Sequence, residues 1–287
     1  MRGQELAIRY NDTLQRVVCF IALLALLAVP FSNAIGSLLR IWTTSSLYAH
    51  GAIAIPVTVA LVWVRRSVWD SPSDAGNRWH GLIGLCVCVL TNAIATYFDI
   101  DGLGHLAVAG GIVSAFAICF GSHRTRTLLP ALLFLFFMVP VGDGILIVLQ
   151  QTTAIATAGM LDILGFEAFR QDQALSVGER TFIITEACSG INYLTAALML
   201  AWAASTVYLR TLNGWLSALL VAAALGIASN WLRVTSVIAI TVWTDDRYHL
   251  AHDHMAVGNL VFLLAVVCFI VFFSRLRQSE QGQLAPQ

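Results

Sequence analysis

Residues 214–240 read GWLSALLVAAALGIASNWLRVTSVIAI, an apolar run whose single charged residue is Arg233. About 20 predominantly apolar residues are enough for an α-helix to cross the hydrocarbon core of a bilayer. The whole chain has a similar character, since it is 58% hydrophobic and only 11% charged. Soluble globular domains contain about 25% charged residues. The sequence therefore predicts an all-α, multi-pass membrane protein.

Other segments of the chain also have the length and composition of membrane spans. We predict about eight transmembrane helices, over residues 16–37, 45–64, 80–98, 103–122, 128–150, 191–209, 214–240 and 255–274. The first segment resembles a signal peptide, but because further spans follow it we interpret it as an uncleaved signal-anchor. No linker or repeat divides the sequence, so we predict one membrane domain over residues 1–287 with a polar, disordered tail over 278–287.

The placement of the arginines predicts the orientation of the protein in the membrane. Cytoplasmic loops of membrane proteins carry an excess of basic residues. With a cytoplasmic N-terminus, eleven arginines fall on the cytoplasmic side and four fall outside. We therefore predict that both termini are cytoplasmic. The formal net charge is +0, so there is no basic field to attract nucleic acid and we expect no nucleic-acid partner.

Between the fifth and sixth predicted spans lies the one substantial outer segment, residues 151–190. Its first part, residues 152–166, has the pattern of an amphipathic interfacial helix. Its second part, residues 169–187, contains two alternating runs around Gly178 and Glu179, which predicts a β-hairpin with a short turn. This small insert leads directly to Cys188.

Cys188 is the cysteine whose surroundings suggest chemistry. The other five lie in apolar runs, where a free cysteine behaves as a small hydrophobic residue; they are Cys19, Cys86, Cys88, Cys119 and Cys268. Cys188 instead lies in a polar context at the outer end of a predicted span. An accessible thiol at the start of a helix is a candidate nucleophile, and the alternative is a small residue at a helix boundary.

Arg233 is an ionisable residue within a predicted span, which usually marks a functional site. Counted from Leu216 at about 1.5 Å per residue, Arg233 lies about 25 Å along the helix, in its outer half. Ser229, Asn230 and Ser236 share its polar face by helical spacing. The alternative is a snorkelling arginine that only positions the helix.

Three histidines, His249, His252 and His254, lie in or next to a second outer segment. Histidine can act as a general base and acid near neutral pH, although surface histidines in a loop are the simpler interpretation of each. A metal site is a further alternative, which the absence of an HExxH pattern disfavours. A nucleophile, a cation and a proton carrier on one side of the membrane would suit acyl transfer to and from a cysteine.

Three separate runs resemble motifs of the exosortase/archaeosortase family. They are residues 186–191 (EACSGI), 230–233 (NWLR) and 253–258 (DHMAVG), and the apolar run 133–141 is also similar to a segment of the family. The resemblance extends over about residues 128–275. It implies a bacterial inner-membrane enzyme with its active site outside the cytoplasm, a cysteine peptidase and transpeptidase of the hydrolase class.

The resemblance also implies roles for individual residues. Cys188 would be the nucleophile, Arg233 would stabilise the oxyanion, and His254 would transfer the protons, since only His254 has a glycine, Gly258, at the family's spacing. The implied substrates are membrane-anchored precursors with a C-terminal sorting tail of PEP-CTERM type, which are cleaved and passed to an acceptor. No cofactor or metal is implied, and the membrane lipid and exopolysaccharide machinery are the expected further partners.

Two other classes of function are compatible with the composition. A transporter could have many spans and an intramembrane arginine, although the internal repeats common in transporters are not found. A non-catalytic assembly factor for exopolysaccharide export would leave Cys188 a structural residue. Within the enzyme class, simple hydrolysis is the alternative to transfer.

Overall fold

The computed structural model describes residues 2–70, 78–140, 143–245 and 255–284. His249, His252 and His254 lie outside these ranges. The chain forms two compact units, Met1–Pro140 and Val141–Gln287, each of which is described in turn.

The first unit consists of helices. They are α1 (Arg2–Leu27), α2 (Ser32–Thr44), α3 (Gly51–Val64), α4 (Trp79–Phe98), α5 (Asp101–Phe120) and α6 (Ser122–Leu132), with 3₁₀ helices at Arg66–Asp70 and Leu133–Met138. Helix α5 is central, since 61% of its most apolar stretch is buried within the protein. Phe116 and Phe120 of α5 pack against Leu128 of α6, and Phe20 of α1 joins the same cluster.

The second unit contains the remaining helices and the sheet. In chain order these are α7 (Asp143–Ile163), β1 (Ala168–Gln171), β2 (Ala174–Val177), β3 (Arg180–Ile183), a 3₁₀ helix (Glu186–Cys188), α8 (Ile191–Tyr208), α9 (Leu212–Trp243) and α10 (Met255–Leu284). Helix α10 exposes large apolar side chains, including Leu260, Leu263 and Leu264. Only 11% of its most apolar stretch is buried within the protein. A helix with such an outer surface is suited to contact with lipid.

The predicted β-hairpin is confirmed. Strands β2 and β3 are antiparallel, and Val177 pairs with Arg180 across the turn at Gly178 and Glu179. A third strand, β1, pairs with β2 and extends the hairpin to a sheet of order β1-β2-β3. Buried side chains fix this sheet to two helices, since Leu175 and Val177 pack with residues of α7 and α9; those residues are Ala154, Leu161, Val234 and Ile238. The chain therefore leaves β3 close to both helices.

The predicted class, a multi-pass helical membrane protein with a small sheet, is confirmed, but the number of spans differs. Within the described ranges, six helices are long and apolar enough to cross a membrane, or seven if α1 and α2 form one broken span. The predicted first span is bent by 92° between these two helices. Pro30, which cannot donate a backbone hydrogen bond, lies at the bend, and its carbonyl oxygen accepts a hydrogen bond from Asn92 Nδ2 at 2.8 Å.

Two further predicted spans differ from the observed helices. The predicted second span contains a helix of only 14 residues, α3, whose length of about 21 Å is less than the hydrocarbon thickness. The predicted fifth span is interrupted at Pro140, before which Val139 has an extended ψ of 125°, as expected for a residue preceding proline. Residues 152–163, predicted as part of an interfacial helix, are instead the second half of α7.

The tail predicted to be disordered is helical over most of its length. Helix α10 continues to Leu284, and Glu280 is buried. The Glu280 carboxylate accepts hydrogen bonds from the Arg210 backbone N–H at 3.1 Å and from the Thr211 hydroxyl. Thr211 in turn accepts the Gly214 N–H in the first turn of α9. A carboxylate near a helix N-terminus is electrostatically favourable, so Glu280 fixes the end of α10 to the start of α9.

Candidate active site

Cys188 ends the short 3₁₀ helix that joins the sheet to α8. Its backbone N–H donates to the Thr185 carbonyl oxygen at 2.9 Å. The side chain is half-buried and packs at the margin of the apolar cluster formed by the sheet, α7 and α9. The thiol is therefore held by its surroundings while part of the residue remains accessible, as a nucleophilic cysteine requires.

Gly190 allows the chain to turn from Cys188 into α8. Its φ is +91°, in the left-handed region that favours glycine. A Cβ atom at this position would lie 2.6 Å from Asn230 Nδ2 and 2.7 Å from Asn230 Cγ. The absence of a side chain at Gly190 therefore lets α8 begin directly against Asn230 of α9.

Asn230 connects the two residues that the sequence identifies as candidate catalytic groups. Its Nδ2 donates to the Cys188 carbonyl oxygen at 3.0 Å and to Thr153 Oγ1 at 3.2 Å. Its Oδ1 accepts hydrogen bonds from Arg233 Nε at 3.3 Å and from Arg233 Nη2 at 3.0 Å. Asn230 is 1% exposed, and both donor hydrogens of its amide are engaged. One buried side chain thus fixes the backbone of Cys188 and the guanidinium of Arg233.

Arg233 is a buried cation. It is 5% exposed, and its guanidinium carbon lies 5.4 Å from the centre of the Tyr193 ring. Within the described part of the chain, no carboxylate lies at salt-bridge distance from Arg233. Its burial and its hydrogen bonds to Asn230 differ from the snorkelling alternative, in which the charge would extend to the membrane surface. A buried cation that makes no ion pair with the described residues can serve as a site for negative charge.

Thr153 completes the hydrogen-bond network from the side of α7. It is 1% exposed, and its hydroxyl donates to the Ser189 carbonyl oxygen at 3.2 Å while it accepts from Asn230. One turn earlier, Gln150 Nε2 donates to the Ile184 carbonyl oxygen at 3.2 Å. Helix α7 therefore holds the segment around Cys188 through the backbone carbonyl groups of Ile184 and Ser189, one on each side of Cys188.

Gly258 brings α10 against the same residues. A Cβ atom at Gly258 would lie 2.8 Å from Arg233 Cδ, and closer still to the Tyr193 hydroxyl oxygen. The three helices α8, α9 and α10 therefore meet at Tyr193, Arg233 and Gly258. His254, four residues before Gly258, lies outside the described residues, as do His249 and His252.

Comparison with known proteins identifies the family. A family model described as transmembrane exosortase (Exosortase_EpsH) matches residues 42–271, which is more than half of the 287-residue chain. This chain belongs to the exosortase family. The match begins well before the motif-bearing region, so it also includes most of the first unit. No curated protein and no solved structure shows a significant match.

The structure brings together only part of the predicted polar face of this exosortase. Cys188, Asn230 and Arg233 share one hydrogen-bond network. Ser229 does not join it through its hydroxyl, which donates to the Gly226 carbonyl oxygen of its own helix at 2.9 Å. Glu186, within the first motif, is exposed.

Two residues of the site were not identified from the sequence of this exosortase. Thr153 and Tyr193 both lie outside the motifs quoted above, and neither side chain carries a charge. For Thr153 a signal was present in the sequence, because Gln150, Thr153 and Thr157 recur at helical spacing, and the structure shows that all three are buried. A stripe of buried polar residues on an otherwise apolar helix indicates hydrogen-bond partners in the protein interior. Tyr193 has no comparable signal, since an aromatic residue early in a membrane helix is common.

The arrangement can support nucleophilic chemistry at Cys188. One asparagine connects the backbone carbonyl of Cys188 to the buried guanidinium of Arg233, and apolar side chains pack against Cys188 on one side. Such a site can stabilise negative charge that develops on a group bound between Cys188 and Arg233, because a fixed cation in a low-dielectric site needs little reorganisation. Family membership supports a membrane enzyme of protein sorting or processing.

Proposed function

We propose that this exosortase is a cysteine transpeptidase that cleaves the C-terminal sorting tail, of PEP-CTERM type, from membrane-anchored precursor proteins. The observation that carries the proposal is the bridge made by Asn230 between the Cys188 carbonyl oxygen and the Arg233 guanidinium. This bridge holds a buried cation beside a cysteine that remains partly accessible. Neither a transporter nor a structural cysteine requires such a connection.

In the proposed reaction the Cys188 sulfur attacks the carbonyl carbon of the scissile peptide bond, and His254 accepts the thiol proton. Arg233 stabilises the negative charge on the carbonyl oxygen of the tetrahedral intermediate. The carbon–nitrogen bond then breaks, and His254 gives its proton to the departing amine of the tail. The product is a thioester between the precursor and Cys188.

In the second half of the proposed reaction an acceptor nucleophile attacks the thioester and loses its proton to His254. The carbon–sulfur bond breaks, and the proton returns to Cys188. Water as the acceptor would give hydrolysis instead of transfer. Support for His254 comes from Gly258, four residues later, which packs against Arg233 and Tyr193.

We further propose that the enzyme lies in the bacterial inner membrane with both termini in the cytoplasm and the active site outside. Support comes from the arginine count over the eight spans predicted from the sequence. A cytoplasmic position for both termini requires an even number of spans, which the six helices of spanning length in the described part of the chain provide. In the second unit, Arg210 follows α8 and Arg275 lies in the last third of α10, whereas Cys188 precedes α8 together with Arg170 and Arg180 of the sheet. The precursor would dock laterally from the same membrane, and exopolysaccharide machinery is the proposed further partner.

A single experiment tests this function. A precursor with a short motif, an apolar helix and an arginine-rich end is expressed with the parent enzyme, with Cys188→Ala, or with Cys268→Ala, a control at an exposed cysteine of α10. The mature C-terminus is then analysed by mass spectrometry. We expect tail removal by the parent and by Cys268→Ala and full-length precursor with Cys188→Ala. An added mass on the C-terminus would identify the acceptor.

Equal processing by the parent and Cys188→Ala would contradict the nucleophile assignment. Processing by none of the three enzymes would favour the transporter or the assembly factor. A mature C-terminus without added mass would indicate hydrolysis instead of transfer.

A further inference from the structure

A groove lies within the second unit between α8 and α10, toward the ends of these helices that are remote from Cys188. Helix α8 begins at Ile191, whereas the first residue of α8 in the groove wall is Leu200. The volume of the groove is about 370 Å³, in the range of ligand sites in proteins. The proposed reaction does not use this groove.

The groove changes from apolar to polar along α10. Its apolar walls include Leu200, Phe269 and Phe273, and its polar end includes Arg277, Gln278 and Gln281. From Phe269 to Gln281 the helix rises by about 18 Å. A phospholipid changes from apolar to charged in the same order, because its acyl chain leads to a charged headgroup over a comparable length.

Arg277 gives the polar end a positive charge. Among the described residues that line the groove, it alone carries a formal charge. Its guanidinium carbon lies 4.4 Å from the centre of the Tyr208 ring, and this stacking leaves the N–H edge of the guanidinium available for hydrogen bonds. No carboxylate among the described residues lies at salt-bridge distance from Arg277.

The nearest acidic residue on α10 already has partners. Glu280, one turn after Arg277, is buried and accepts hydrogen bonds from the Arg210 backbone and the Thr211 hydroxyl. Its charge is directed to the N-terminus of α9. Glu280 therefore makes no ion pair with Arg277, and with respect to the described residues the N–H groups of Arg277 remain free to bind an anion.

We propose that this groove is a binding site for an anionic phospholipid. The phosphate would bind the guanidinium of Arg277, which suits bidentate hydrogen bonds to phosphate oxygens. An acyl chain would lie along Leu200, Phe269 and Phe273. Basic pockets between membrane helices bind anionic headgroups on the cytoplasmic side, which is the side that the arginine distribution predicts for this end of α10.

The bound phospholipid would contact both α8 and α10, whose other ends meet near the candidate active site. Helix α8 carries Tyr193, and α10 carries Gly258, which touches Arg233. A ligand that binds the folded protein stabilises it by mass action. The bound lipid therefore holds α8 and α10 together where the groove separates them. This inference does not depend on the reaction proposed for Cys188.

The test uses the purified full-length protein with phosphatidylglycerol and phosphatidylcholine at equal mole fractions. Native mass spectrometry measures which lipid stays bound, and thermal unfolding measures stabilisation by each. Arg277→Gln removes the proposed phosphate ligand. Arg275→Gln is the matched control, because Arg275 is an exposed arginine on the same helix that does not line the groove.

We expect the parent and Arg275→Gln to retain phosphatidylglycerol preferentially and Arg277→Gln to lose about tenfold of that preference, as is typical for a hydrogen bond to a charged group. A second variant, Ala204→Trp, fills the groove while it keeps Arg277, and should reduce retention of both lipids. Equal retention of both lipids by the parent would overturn the proposal. An equal effect of both arginine variants would also overturn it, because it would indicate a diffuse basic surface.

Discussion

Asn230 and Cys188, separated by 42 residues in the sequence, are joined by a hydrogen bond of 3.0 Å from the Asn230 side chain to the Cys188 carbonyl oxygen. The same side chain accepts two hydrogen bonds from Arg233. Any movement of the amide therefore affects the nucleophile and the cation together. Asn230 does not contact the proposed reacting atoms through this geometry, so we regard it as a positioning residue.

Asn230→Asp should reduce precursor processing by at least about tenfold, since each buried donor lost costs about 1–3 kcal/mol. The carboxylate cannot donate to Cys188 or Thr153, and its charge would neutralise Arg233. Single-turnover processing rates measure the effect. Asn213→Asp is the control, because Asn213 is an exposed residue of the same helix and should be unaffected. Normal rates for Asn230→Asp would show that the bridge does not position the site.

Thr153→Val should slow processing by roughly tenfold or more, because a group of nearly the same shape replaces a buried hydroxyl that bonds to Ser189 and Asn230. Thr152→Val makes the same change on the adjacent residue, whose hydroxyl bonds only to carbonyl oxygens of its own helix. We expect that control to process at the parental rate. The comparison measures the contribution of α7, and equal rates for the two variants would remove Thr153 from the site.

The parts of the fold that the sequence predicted correctly are local. The hairpin was found because a two-residue turn and alternating apolar residues identify it without any distant contact. The span boundaries were wrong at Pro30 and Pro140, where the apolar composition continues although the backbone cannot. Hydrophobicity indicates that a segment lies in the membrane, but it does not show where the helix within that segment breaks. Composition alone also does not tell Pro30 and Pro140, where the helices break, from Pro56 and Pro130, which lie inside α3 and α6.

For the candidate active site, too, the sequence identified single unusual residues but not the contacts between distant segments. Cys188 and Arg233 could be identified because a polar cysteine environment and a charge within a span are unusual on their own. Helical spacing places Thr153 on one polar face with Gln150 and Thr157, but it does not identify the partners of Thr153, because Ser189 and Asn230 lie 36 and 77 residues away. A hydrogen bond between distant segments exists only once helices pack, so no spacing rule reports it.

Arg233→Lys should lower kcat by about 10²–10³ with little change in KM, as expected when a group acts mainly on the transition state. A lysine keeps the positive charge but cannot reproduce the paired hydrogen bonds of Nε and Nη2 to Asn230. Arg275→Lys, at an exposed position of α10, serves as the control. A rise in KM with kcat unchanged would mean that Arg233 binds the precursor rather than the oxyanion.

Gly258→Ala should lower processing sharply, because the new methyl group would meet the Tyr193 hydroxyl and lie 2.8 Å from Arg233 Cδ. Either α10 must move away from α8 and α9 or Arg233 must shift. Gly282→Ala is the matched control on the same helix, where a Cβ meets nothing within 4 Å. That control should stabilise the protein by about 0.5–1 kcal/mol through helix propensity, as measured by thermal unfolding.

A second substitution separates this steric effect from a general loss of folding. Tyr193→Phe removes the hydroxyl that the Gly258→Ala methyl group would meet first. The double variant should therefore recover part of the processing rate that Gly258→Ala loses, whereas Tyr193→Phe alone should have a smaller effect. Coupling of this kind is expected only for residues in contact. If the double variant is no better than Gly258→Ala, the close approach of α10 to Tyr193 is not the cause, and the support that Gly258 gives to His254 is lost.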